Sequence, residues 1–149
     1  MSNPEGRDAT DEQAEIRAFL TFGTRTGKLG VTRLDGSPMV VPIWFGVDDD
    51  DTLLFTTWGE SIKGKSLRRD RRVSLCVDED SPPYAYVRVD GTTTLLDDPE
   101  LLRSWAARIG GRYMGAERAA EYGARNGVEG ELLVRITPTT IVAQAGIAE

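Results

Sequence analysis

The chain has 149 residues and a formal net charge of −6, with 40% hydrophobic and 28% charged residues, no histidine and one cysteine. This length suits one domain able to bury about 68–70% of its unfolded surface. The acidic balance argues against general nucleic-acid binding, and the missing histidines exclude His-ligated metals, His-based triads and His acid–base catalysis. Cys76 has no internal disulfide partner and falls in an apolar run, where a buried, inert thiol is expected. Redox chemistry, if present, therefore belongs to a bound organic cofactor.

Residues 1–9 are polar and acidic and are expected to be a disordered leader, with the domain spanning 10–149. No apolar stretch marks a signal peptide or approaches the roughly 18 residues of a membrane helix, so a cytoplasmic protein is expected. Thr10 and Gln13 form a capping box for a helix over 11–20. A first strand covers 27–34, and Asp35-Gly36 is a hairpin turn. The apolar second strand, 38–47, contains Pro42, which cannot donate to a ladder and so implies an edge, a bulge or a gap facing a ligand. Asp48 to Asp51 lack the alternation and distal Glu of a calcium loop and read as a solvated turn into a third strand over 52–57.

The stretch LLFTTWGESIKGKSLRRDRRVSLCVD, residues 53–78, organises the rest. It reads as strand, turn, short helix over 62–69 with Ser61 at its N-cap, and strand over 73–78. Hydroxyls, a helix N-terminus and the lysines Lys63 and Lys65 crowd one spot, a setting suited to phosphate. Gly59 to Ser66 also satisfies the P-loop pattern G-x-x-x-x-G-K-[S/T]. Only 67–72 separates it from the next strand, too few residues for a parallel crossover of about 10–12, so phosphate binding is retained and triphosphate hydrolysis is not.

A loop at 79–83 leads to a strand over 84–90, an interruption at Gly91, and a further strand over 92–96. Asp98-Pro99 opens a helix over 99–113 that buries Leu101, Leu102, Trp105, Ala106 and Ile109. A second helix over 116–126 ends at Asn126-Gly127, and strands at 132–136 and 141–143 close the chain. Six or seven strands without regular crossovers predict a mostly β, antiparallel barrel with peripheral helices.

The words GTRTGKLGVTRLDGSPMVVPIWFGVDDDDTLLFTTW, KGKSLRRDRRVSLCVDED and PPYAYVRVDGTTTL, in this order and spacing, resemble the pyridoxamine-phosphate-oxidase-like split-barrel family of flavin and deazaflavin proteins. The similarity is greatest to its actinobacterial branch, which binds the deazaflavin coenzyme F-420. Lys63, Leu67, Arg69, Asp70 and Arg72 match the family's Lys-containing helix and R-D-P-R ending; Arg71 replaces the proline, and Ser66 an asparagine whose helix-to-loop hydrogen bond it weakens. The resemblance implies a six- to seven-stranded antiparallel split barrel, with cofactor phosphate at Thr56, Thr57, Ser61, Lys63 and Lys65, and the tricyclic ring along Val41, Pro42, Ile43 and Trp44. Trp44 and Trp58 suit either ring contact or barrel packing, and Arg25 is a further candidate for the phosphate or the acidic tail. It also implies a homodimer with cofactor at the subunit interface, and hydride transfer from reduced F-420 to an unsaturated small-molecule substrate. FMN in the same fold, and a non-catalytic carrier of a flavin-like or haem-derived ligand, are the alternatives.

Overall fold

The computed structural model describes residues 9–149. The expected leader lies outside the described residues except for Ala9, which opens the first helix, α1 (Ala9–Thr21). This start lies one residue before the expected N-cap Thr10, whose side chain is outside the description. The strands are β1 (Gly27–Thr32), β2 (Pro38–Ile43), β3 (Gly46–Val47), β4 (Leu53–Trp58), β5 (Arg72–Glu79), β6 (Ala85–Leu96) and β7 (Glu131–Ala145). The remaining helices are α2 (Ile62–Arg69), α3 (Pro99–Met114) and α4 (Ala119–Asn126), with a 3-10 turn at Ala116–Arg118 before α4.

All pairings are antiparallel, in the order β2-β1-β5-β6-β7-β4-β3. Six gaps of about 4.8 Å would put the edges of a flat sheet about 29 Å apart. Yet the edge strands β2 and β3 are joined by Trp44-Phe45 alone, which reach at most ~11 Å. The sheet must therefore curl until its edges meet, and the unpaired seam between them is the split of the barrel. The expected strand over 38–47 is thus two strands on opposite edges. Pro38 and Pro42 fit because β2 is an edge.

Period-two alternation fills the interior. Leu29, Leu75, Val77, Val87, Val89, Phe55, Val134 and Ile136 are wholly buried, closed at the seam by Phe45 and beneath α2 by Leu67. On the opposite face of β4 and β7, Leu54 and Leu133 pack under Leu102, Trp105 and Ile109 of α3. That covering of both faces explains why β4 reads as an unbroken apolar run. The two strands expected at the end of the chain are one, β7, pairing with β6 throughout. The register shift falls at Gly91 as expected, but the extra residue is Thr139 on β7: Asp90 pairs with Thr140 and Gly91 with Pro138. β6 itself runs through.

The topology also settles the P-loop pattern. Three antiparallel steps separate β4 from β5, so α2 joins antiparallel strands, the reverse of a phosphate-loop crossover. Gly64 is present for packing: a Cβ there would stand 2.5 Å from the Trp58 carbonyl and 2.8 Å from that of Gly59. The acidic turn is neutralised internally, with Asp48 on Arg135 at 3.0 Å and Asp51 on Arg17 at 2.8 Å. Among the described residues no helix is long and apolar enough to cross a membrane.

Candidate functional site

β4 ends in a turn that α2 enters. Ser61 caps α2 by accepting from the Gly64 N–H at 3.0 Å, and its own hydroxyl donates to the Trp58 carbonyl at 2.7 Å. The Thr57 hydroxyl lies 3.3 Å from it. At the other end of α2, Asp70 accepts from both the backbone and the guanidinium of Arg72, which accounts for the R-D-x-R word. Ser66 is buried and turns its hydroxyl back to the Ile62 carbonyl at 2.7 Å, so it satisfies itself within its helix.

On the outer barrel face beside this turn lies a cavity of about 370 Å³, within the range of small-molecule sites. Pro42, Ile43 and Trp44 line it from the seam, Thr56, Thr57 and Trp58 from β4, and Lys63 from α2. Ala106, Ile109, Asn126 and Glu131 complete it. Seven of the ten residues named from the sequence therefore meet around one space. Three do not. Val41, on the alternate face of β2 from Pro42, packs against the barrel core. Ser61 stands behind Thr57 with its hydroxyl committed to the cap. Lys65 is two positions from Lys63, on another side of α2, and is exposed opposite Glu60 at 3.8 Å. Arg25 is also elsewhere, paired with Glu79 and laid over Phe19 at 4.3 Å.

Trp44 packs on the helices and also borders the cavity, where a ring contact was expected. Its ring stacks on Tyr113 at 5.2 Å and meets Tyr122 edge-on at 5.6 Å, while the residue also walls the cavity. Tyr113 accepts from the Phe45 N–H at 3.3 Å and donates to the Arg25 carbonyl at 2.9 Å. Trp58 is about half exposed, and its ring lies across Gly130.

The electrostatics centre on one pair. Burial lowers the Lys63 pKa, an effect Glu131 only partly opposes. Burial raises the Glu131 pKa, with Lys63 opposing. Among the described residues no acceptor holds the Lys63 ammonium, although burying a cation without a partner is unfavourable. Cys76 is half-buried rather than fully buried; partial burial and Asp78 raise its pKa, which disfavours the reactive thiolate.

Glu131 and Asn126 were not singled out from the sequence. A period-two reading of β7 continued back to Glu131 would have placed it on the face of Leu133, although its pairing with Trp58 comes only from the fold. Asn126 carries no such signal, because it reaches the cavity only through the packing of α4 on α3.

A curled antiparallel sheet with a small-molecule cavity beside its seam defines a split-barrel protein. The profile of the pyridoxamine 5'-phosphate oxidase family matches residues 13–145, and the chain belongs to that family. No curated protein matches the chain. A conserved hypothetical protein from Mycobacterium tuberculosis superposes with TM-score 0.80 at 24% identity, covering 98% of this chain and 90% of its own. A structure named F420 reductase gives TM-score 0.66 at 23% identity over 94% of this chain and 98% of its own. The haem storage protein HutZ from Vibrio cholerae gives TM-score 0.70 at 18% identity over 92% and 98%. These likenesses establish a shared fold.

Proposed function

We propose that this protein is a cytoplasmic oxidoreductase that uses reduced coenzyme F-420, the deazaflavin, to transfer hydride to an unsaturated small molecule. The observation that carries the reading is Lys63, a half-buried cation without an acceptor among the described residues, set in a cavity with the hydroxyls of Thr56 and Thr57. That combination fits a phosphate group. Membership of an oxidase family and likeness to an F420 reductase support a flavin-type cofactor.

When bound, reduced deazaflavin would supply a hydride to the acceptor in a two-electron transfer and leave oxidised. The chain's own residues bind, orient and exclude water. Lys63, Thr56 and Thr57 hold the anionic group. Ile43, Trp44, Ala106 and Ile109 present an apolar wall, with Trp44 fixed by Tyr113 and Tyr122 so that its plane does not depend on ligand. Pro42 removes an N–H where the backbone lines the cavity, leaving no donor to be desolvated there. The exposed outer positions of β2, Pro38, Val40 and Pro42, suit burial against a second copy, which would complete the site as a homodimer.

FMN is the second reading, favoured by the family description, and a carrier is the third, favoured by the likeness to HutZ. A fluorescence titration with oxidised F-420 and FMN at equal concentration tests the choice. Micromolar F-420 binding with weak FMN binding is the expected result, and preference for FMN would overturn it. Reduced F-420 that binds but is oxidised by none of a panel of quinones, enones and nitro compounds would identify a carrier.

A further inference from the structure

The phosphate reading leaves Glu131 unexplained, since a carboxylate is an adverse neighbour for an anion. It lines the same cavity as Lys63, and among the described residues they are the only charged side chains that do. Nothing among the described residues donates a hydrogen bond to its carboxylate. Its place is fixed by the β4–β7 ladder, where it pairs with Trp58, two residues past Thr56 on the same strand face. The nearby cations of α2 do not compensate: Lys65 and Arg68 are drawn to Glu60 at 3.8 and 3.7 Å. The lining therefore sums to zero formal charge, plus the partial positive charge of the α2 N-terminus.

We propose that Glu131 makes the pocket charge-selective, admitting a ligand anchored by a singly charged phosphodiester and disfavouring a doubly charged phosphate monoester. The inference rests on the reading of the cavity as a phosphate-anchored cofactor site. Desolvation rises with the square of the charge, whereas attraction to a fixed field rises only linearly. A field of one lysine, largely cancelled by one carboxylate, can hold a monoanion but cannot offset the steeper desolvation of a dianion. The phosphate of F-420 is a diester, and that of FMN is a monoester carrying about −1.5 to −2 at neutral pH. The site accommodates a monoester best by protonating Glu131 as the ligand enters.

The pH dependence has a defined sign. Burial already raises the Glu131 pKa, and a bound anion raises it further. FMN affinity thus increases as pH falls through the bound-state pKa towards the free-state pKa. The second ionisation of the monoester acts in the same sense, and Lys63 acts only at the alkaline end, where its lowered pKa removes the cation. Across the adjoining cleft, Asp97, Asp98 and exposed Glu129 add to the negative field and Arg103 opposes it, while Glu60 is offset by Lys65 and Arg68.

Dissociation constants for F-420 and FMN, measured at pH 8 with the wild type and with Glu131→Gln, provide the test. The substitution should tighten FMN binding about tenfold and F-420 binding about threefold or less, so that the two affinities converge. Equal changes, or weakening of both, would overturn the charge selection while leaving the cofactor reading intact. Binding of neither cofactor to either protein would overturn both. A measurement on the wild type alone guards against a poorly folded variant: calorimetry of FMN binding in two buffers of different ionisation heat should show proton uptake, and none would sink the proposal.

Discussion

Two half-buried cations in this molecule have pKa values lowered by burial, and they differ in everything else. Arg112 of α3 donates to three carbonyls, those of Leu20 at 2.8 Å, Phe45 at 2.8 Å and Gly23 at 3.0 Å, and lies 4.7 Å over the Phe45 ring. It ties α1, the turn that follows it and the seam to one helix. Lys63 has comparable burial and, among the described residues, no acceptor and only the opposed charge of Glu131. A cation with three donors engaged on carbonyls is a structural fastener; one left without an acceptor at the wall of a cavity is, in the proposed reading, an anion anchor.

The comparison predicts opposite outcomes for truncation. Arg112→Met should strand three carbonyls and free the seam, destabilising the protein by about 3 kcal/mol. In thermal unfolding this would appear as a Tm fall of about 6–12 °C. An unchanged Tm would remove the fastener reading. Gly110→Ala sharpens the same point from the helix pair: the added Cβ would overlap Tyr122, whose ring supports Trp44. Overpacking of this kind should cost about 2 kcal/mol and should disturb Trp44 fluorescence, which Arg112→Met should alter less.

Lys63→Ala is the converse. It should lower affinity for F-420 about tenfold, the size of one lost charge-assisted contact, with Tm unchanged or slightly raised because a costly burial is relieved. A cofactor affinity equal to that of the wild type would take Lys63 out of the site. Lys65→Ala should change affinity less than about twofold, its ion pair being exposed. An equal loss at Lys65 would mean that α2 presents both lysines to the ligand and that the comparison is drawn at the wrong residue.

Lys63 and Lys65 also show where the sequence was legible and where it was not. Both stand in one basic word beside hydroxyls, and composition alone treats them alike; helical geometry separates them. The cluster Thr56, Thr57, Trp58 and Lys63 was readable because it is local, one strand end and one helix start. Pro42-Ile43-Trp44 was readable as an anomaly, a proline in an apolar run, although the run proved to be two strands. What fixed that break is the closure of a barrel whose edges adjoin in sequence, a global condition that no window of residues contains. Arg112 looked like one more arginine on a helix, because its three carbonyl partners lie 67 to 92 residues away. Glu131 was hidden by its pairing with Trp58 across a similar span.

The smallest expected effect concerns a carboxylate that is satisfied without being buried. Asp70, just after α2, has its pKa lowered to about 2, chiefly by its side-chain and backbone hydrogen bonds from Arg72. A carboxylate whose folded pKa lies below its unfolded value contributes stability above the unfolded pKa and loses it as pH falls through the folded one. The window therefore runs from about pH 4 down to about pH 2. Asp70→Asn should flatten that part of the acid-unfolding curve by removing a contribution that is present at pH 7 and absent below about pH 2, a small one because the partner Arg72 is exposed. If the acid limb kept its slope, the R-D-x-R word would not act through this ion pair. Its service would then be to place Arg69 on the Leu34 carbonyl and so dock α2, with Lys63 at its other end, against the β1–β2 turn.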